Sequence, residues 1–236
     1  MAELKESITL RRGRAMAPFE VAEPQAGVLK LGGALKTAMG AELRARLIPR
    51  KGLTRIAARI DKTAPPGRHT ATLVTEDGEY PVTVDVPVRE KLRISPGSIS
   101  ITGRPGTRVT AQFTLSNRGN VALPVPNGGV GGLFASDGVA GAFSAAYASD
   151  AEAPLEVFGE FIQGLRRSYL GLMRLKFTSK DKGNLSPGQS RALSGEFAIP
   201  APLNDATQLG AGRKFHTTIA MPHLRLVARL TLSAPK

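Results

Sequence analysis

Catalysis needs nucleophiles, acid–base groups, metal ligands or an anion cradle, and this chain offers little of each. It contains no Cys, which removes thiolate metal sites, iron–sulfur clusters, disulfides and a cysteine nucleophile. Its three histidines, His69, His216 and His223, are scattered. On a strand, the seven-residue separation of His216 and His223 would put them on opposite faces, unable to share one metal. Among the carboxylates, Asp77 and Glu79 fall in hairpin-turn sequence, and Asp181 and Asp205 fall in loops. No Gly-x-Ser-x-Gly elbow is present. The run Gly128-Gly-Val-Gly-Gly132 lacks the Gly-x-x-x-x-Gly-Lys-Ser/Thr order, and no following Lys could reach a phosphate. These absences predict no catalytic residue, no metal site and no cofactor.

What remains is charge and apolar surface. The 236 residues carry 32 Lys and Arg against 19 Asp and Glu, a formal charge of +13. The excess is uneven, with 15 basic against 11 acidic residues in 1–90 and 17 against 8 thereafter. Such a field favours polyanions, anionic lipid or an acidic protein partner. Residues 127–149 are rich in Gly, Ala and Ser, with Phe134, Phe143 and Tyr147 as the large anchors. They read as a flexible loop. From Leu155 the apolar residues Phe158, Ile162, Leu165 and Tyr169 recur at helical steps, with Val157 and Phe161 beside them. Pro154 suits a first helical turn, and Glu152, Glu156 and Glu160 suit its positive end. A helix is expected over 154–165, with 169–177 as its continuation or as a strand. Arg166, Arg167, Arg174 and Lys176 would make an amphipathic surface helix or, preferably, a helix covering a sheet edge. Phe134, Phe143, Tyr147, Phe158 and Phe161, rimmed by Arg166 and Arg167, are therefore the expected partner-binding residues, with burial of these anchors against the protein's own sheet as the alternative.

The elements that must carry these residues read as strands. Tyr80, Val82, Val84, Val86 and Val88 alternate with polar residues and prolines, the period of a half-buried strand. Pro81 and Pro87 cannot donate ladder hydrogen bonds and suggest an edge position or a short pairing partner. Thr70–Thr75 precedes it, and the Asp77-Gly78 step between them signals a hairpin. Val109, Ala111, Phe113 and Leu115 alternate before the turn residues Asn117-Arg118-Gly119-Asn120, and Leu224, Leu226, Ala228, Leu230 and Leu232 alternate near the end. Weaker strands read at 42–48, 54–60 and 194–199. The predicted fold is mainly β: two antiparallel β-sandwich modules, 1–90 and 91–236, the second with a Gly-rich and partly helical insertion at 126–180. Leu4, Ile8 and Leu10 stand isolated among charges, so no signal peptide is visible, and no apolar window is long enough to span a bilayer. The expected setting is the cytoplasm or an intracellularly assembled particle, with the cell envelope as the alternative for a processed chain.

The stretch Leu92-Arg-Ile-Ser-Pro-Gly, with Pro105-Gly-Thr-Arg-Val-Thr-Ala-Gln-Phe-Thr-Leu-Ser-Asn117-Arg-Gly119-Asn, resembles the opening strands of bacterial immunoglobulin-like domains. Pro65-Pro-Gly-Arg-His-Thr-Ala-Thr-Leu-Val with Val82-Thr-Val-Asp-Val resembles their closing hairpin. The resemblance implies tandem immunoglobulin-like modules and no specific activity. The functional expectation is a non-enzymatic structural or interaction protein, a basic subunit or accessory of a larger assembly with other, acidic-surfaced subunits as partners. Two alternatives stand beside it: a carbohydrate-active or hydrolytic accessory enzyme, and a non-specific binder of nucleic acid or another polyanion.

Overall fold

The computed structural model describes residues 8–151, 153–179, 181, 183–201 and 212–233. Within them the protein is mainly β and divides into two compact units. One comprises the described residues of Met1–Lys91 with Asn117–Leu123 and Ser186–Gly188; the other comprises the described residues of Leu92–Ser116, Pro124–Leu185 and Gln189–Lys236. Leu4, Glu152 and Asp205 lie outside the described residues.

The first unit holds β1 (Ile8–Arg11), β2 (Arg14–Ala17), β3 (Gln25–Leu31), a short helix α1 (Gly33–Met39), β4 (Glu42–Arg50), β5 (Leu53–Ala58), β6 (Gly67–Thr75) and β7 (Gly78–Val86). Hydrogen bonds run in the order β1-β2-β5-β4-β3-β6-β7 and close the ring through β1 and β7. That closing pair is parallel, Ile8 to Arg11 against Val82 to Asp85, which corrects the expectation of purely antiparallel pairing. Ring closure leaves β7 paired on both sides, so of the two readings its prolines allow the short pairing partner is the one found: β1 has four residues against the nine of β7. Pro81 lies one residue before the β1 register begins, and Pro87 lies beyond the strand. The alternating residues turn inward as their period requires, with Leu10, Leu29, Leu47, Ile56, Leu73 and Val84 in the core and Leu35 of α1 beside them. Val88, past the strand end, is exposed rather than inward. In the β6–β7 hairpin Thr75 faces Gly78 across Glu76-Asp77, and Gly78 takes the positive φ of 136° that favours glycine.

A polar latch completes this unit. Asn117 and Asn120 are both buried. Asn117 Oδ1 accepts from the Gly119 N–H at 2.8 Å, and its Nδ2 donates to the Val121 carbonyl at 2.7 Å. Asn120 Oδ1 accepts from the Arg89 N–H at 2.7 Å, and its Nδ2 donates to the Pro87 carbonyl at 3.0 Å. Backbone bonds from Arg118 to Lys91 and from Asn120 to Arg89 run alongside. Two buried amides thus satisfy main-chain groups that would otherwise be left unpaired, a loss costing about 1–3 kcal/mol each.

The second unit holds β8 (Leu92–Ser95), β9 (Ser98–Gly103), β10 (Arg108–Asn117), β11 (Leu123–Pro124), β12 (Gly128–Ala135), α2 (Gly138–Tyr147), α3 (Pro154–Ser168), β13 (Tyr169–Thr178), β14 (Asn184–Leu185), β15 (Ser190–Ala198), β16 (Lys214–Met221) and β17 (Leu224–Leu232). Eight strands form one sheet, ordered β8-β10-β15-β13-β12-β16-β17-β9. β9 pairs parallel with β17, a second departure from all-antiparallel pairing. Phe113 packs against Phe177 and Phe197 from neighbouring strands. Phe215, Ile219 and the residues Leu226, Ala228 and Leu230 are buried with them.

The expected insertion at 126–180 is corrected here. Its two flanks are central strands: β12 and β13 pair with each other, and β15 and β16 lie on their outer sides. The Gly-rich run is a strand because the backbone passes too close to its neighbours for side chains. A Cβ at Gly128 would lie 1.9 Å from the Leu175 carbonyl oxygen, and one at Gly131 2.3 Å from Thr217 Oγ1. The part outside the sheet is the pair of helices between them.

Candidate functional site

The helical pair α2–α3 projects between two central, adjacent strands. Phe134 of β12 and Tyr169 of β13 stand opposite each other in the register, so the hairpin leaves and re-enters the sheet at neighbouring points. It rises from the sheet interior and covers no edge strand, since β8 and β9 are the edges. This corrects the edge-covering reading.

The two helices join through small residues. Gly138, Ala142 and Ala146 line the buried side of α2, and a Cβ on Gly164 of α3 would sit 2.8 Å from the Ala142 Cα. Close backbone approach therefore requires glycine at 164. Pro154 occupies the start of α3, Glu156 its first turn, and Arg166 and Arg167 its last, each charge matched to the helix dipole. The helix runs to Ser168, whose Oγ donates to the Leu165 carbonyl at 2.8 Å. The chain then enters β13, so Arg174 and Lys176 belong to a strand and not to an amphipathic helix.

Small residues at the seam push the large ones outward. Val139, Phe143 and Tyr147 repeat every fourth residue on α2, and Leu155, Phe158 and Ile162 share one side of α3. All six are exposed, up to 58% for Phe158, 80% for Leu155 and 81% for Tyr147. Phe161 is half-buried and bridges the two rows: its ring lies 4.3 Å from that of Phe143 and 6.5 Å from that of Phe158. Arg166 and Arg167 are exposed at the α3 C-terminus. Phe143, Tyr147, Phe158 and Phe161 are thus brought together, while Phe134 is separate, on the sheet against Tyr169 with ring centroids 4.9 Å apart. Leu155 and Ile162, read from sequence as part of the helical repeat but not as partner-binding residues, join these rows, and so does Val139, whose four-residue spacing from Phe143 and Tyr147 is the signal in the sequence.

The remaining candidates do not converge. His69 Nε2 lies 3.0 Å from the Pro65 carbonyl oxygen, His216 is exposed on β16, and His223 sits in the β16–β17 turn with φ 62°. Of the last two, the first lies within β16 and the second beyond its end. Among the described residues no three His, Asp or Glu side chains gather to hold a metal ion. A concavity of about 380 Å³ in the first unit, bordered by Arg12, Lys62, Arg89 and Asn120, presents one carboxylate, Asp61. That carboxyl is held below its ordinary value, chiefly by the Thr63 hydroxyl at 2.5 Å and then by the Thr63 N–H at 2.8 Å. Its small stabilising contribution is therefore present above the unfolded value near pH 4 and is lost as pH falls through the depressed one. A second concavity, beside β15, presents Asp181. No helix among the described residues is long and apolar enough to cross a membrane.

No protein-family model matches the chain, and no curated protein matches it. Solved structures match weakly. A titin A168–A169 fragment is 10% identical, with 98% of each chain covered and a TM-score of 0.29. The four N-terminal Ig domains of Dscam1 isoform 1.9 are 9% identical, covering 99% of this chain and 44% of theirs at 0.25. Domains 4 and 5 of the S-layer protein SbsC are 11% identical, covering 76% and 69% at 0.25. The chain resembles tandem immunoglobulin-like proteins, and at these scores the resemblance is weak.

Proposed function

We propose that the protein is a non-catalytic subunit or accessory of a larger assembly, built from two β modules, 1–90 and 91–236, in the manner of tandem immunoglobulin-like chains. It docks through the α2–α3 hairpin onto a protein partner that offers an apolar groove with an acidic rim. One observation carries this reading: six large apolar side chains of a helix pair lie exposed in two helical rows bridged by Phe161, although ordinary burial would have turned them inward. Helices that bury Gly138, Ala142 and Ala146 instead spend their bulk on solvent, which is favourable only when something covers it. The partner's acidity is argued from Arg166 and Arg167, which border the face at the α3 C-terminus and would sit at the rim of a contact.

The sheet suggests a clean test. Because Phe134 and Tyr169 are register partners, residues 137–167 can be replaced by a four-residue turn without breaking β12 or β13. The shortened chain is expected to keep its cooperative unfolding midpoint and to lose the native assembly. Retention of the assembly at unchanged affinity would refute docking through the hairpin.

A further inference from the structure

The outward face of the second unit's sheet has a composition that the hairpin does not explain. Five consecutive neighbours in the sheet, β13, β12, β16, β17 and β9, contain not one Asp or Glu. Their exposed positions include Arg174, Lys176, Lys214, His216, Arg225 and Arg229. The first carboxylate met on going outward is Glu196 of β15, already bridged to Arg108 at 2.9 Å. A chain with 19 acidic residues has kept them all off these strands.

The registers arrange this face in two rows. One crosses the strands as Tyr169, Phe134, His216, Arg229 and Ser100. The other reads Arg174, Val130, Ala220 and Arg225. Four strand residues separate them, about 13 Å. At the first row the surface dips into a concavity of about 400 Å³ whose lining includes Ser100, Ser136, Lys214, His216, Arg229 and Thr231. These are the groups that hold a phosphate: two fixed cations, an imidazole and three hydroxyls. Directly beside it lies the Phe134–Tyr169 ring pair, with Phe134 partly exposed.

We infer that this face binds single-stranded nucleic acid, with backbone phosphates seated in the Lys214–His216–Arg229 concavity and along Arg174 and Arg225, and a base stacked on Phe134. The cationic rows alone would suit any polyanion; the aromatic pair next to the phosphate seat selects unpaired bases, which alone expose a π-face. A duplex keeps its bases stacked on one another and could use only the cations. The surface shares no residue with the exposed face of α2–α3, so the two readings stand or fall separately.

The experiment is fluorescence anisotropy of the full chain with a labelled 20-mer of deoxythymidine, the same-length duplex, and a sulfated polysaccharide as competitor. The single strand is expected to bind at least tenfold tighter than the duplex. Phe134→Leu, which keeps an apolar side chain, is expected to weaken only the single strand, by about fivefold or more. The double variant Lys214→Ala and Arg229→Ala is expected to lower affinity for both nucleic acids. It should flatten the logarithmic salt dependence for the single strand by about 1.4, the contribution of two phosphate contacts. Circular dichroism and unfolding midpoints of each variant confirm that the fold is retained. The inference is overturned if the 20-mer does not bind. It is also overturned if the duplex or polysaccharide binds equally well with Phe134→Leu silent, which would leave a general polyanion surface.

Discussion

Gly119→Ala is expected to destabilise the first unit by about 3 kcal/mol, an effect at the upper end for a single substitution. The added Cβ would lie 2.0 Å from the Arg89 carbonyl oxygen and 2.9 Å from the Lys91 nitrogen. Both are backbone atoms, so neither can rotate out of the way. The segment 117–120 must move, and the bonds from Asn120 to Arg89 and Pro87 are stretched with it. Buried groups lose their partners at about 1–3 kcal/mol each. Gly52→Ala, in the same unit, is the control: its φ of 81° strains an alanine, yet nothing lies within 4 Å of the added atom. Its cost is therefore the backbone preference alone, about 1 kcal/mol. Urea unfolding followed by circular dichroism compares the two, and equal midpoints would remove the steric latch from the account.

The second large effect is on association. Phe158→Glu places a charge in the middle of the exposed hairpin face, between Leu155 and Ile162. In the free chain Phe158 is 58% exposed, so the free energy of unfolding is expected to stay within about 0.5 kcal/mol of the parent. In the assembly a buried, unpaired carboxylate replaces an aromatic anchor facing an acidic rim. A loss of at least about 2 kcal/mol, roughly thirtyfold in Kd, follows. Gln163→Glu introduces the same charge on the polar side of α3 and is expected to change Kd less than about threefold. Titration of the partner onto immobilised protein measures both. A similar loss from both substitutions would attribute the effect to net charge and not to the apolar face.

Much of the β architecture is legible in the sequence because period two and burial coincide. Leu224, Leu226, Ala228, Leu230 and Leu232 alternate with outward positions, Val227 being the one apolar residue among those, and are inward in the structure; Val82, Val84, Val86, Phe113 and Leu115 behave alike. β1 and β3 were not legible for local reasons. Ile8 and Leu10 alternate over too few residues, and Gly27 stands at an inward position of β3, where a Cβ would meet Leu73 Cδ1 at 3.1 Å. The Gly-rich stretch misleads in the same way: glycine signals a loop by its flexibility, but here it answers close strand packing, a long-range fact. Ring closure of β1 with β7 and the separation of β8 from β9 to opposite edges depend on pairings far apart in sequence. At the candidate site, helical spacing names Phe158 and Phe161, whereas Phe143 and Tyr147 read as anchors of a loop and lie on a helix instead. That Phe134 stays on the sheet, and that the small residues take the buried seam, could not be read from spacing.

The docking face is tested most directly by site-specific photo-crosslinking in the native assembly. A benzophenone amino acid is placed at Tyr147, 81% exposed on the apolar face, and separately at Thr114, exposed on β10. Abundant adducts are expected from position 147 and few from 114, joined to a different subunit at an apolar segment flanked by Asp or Glu. Adducts from 114 with none from 147, or adducts from 147 only to a second copy of this chain, would contradict docking through this face.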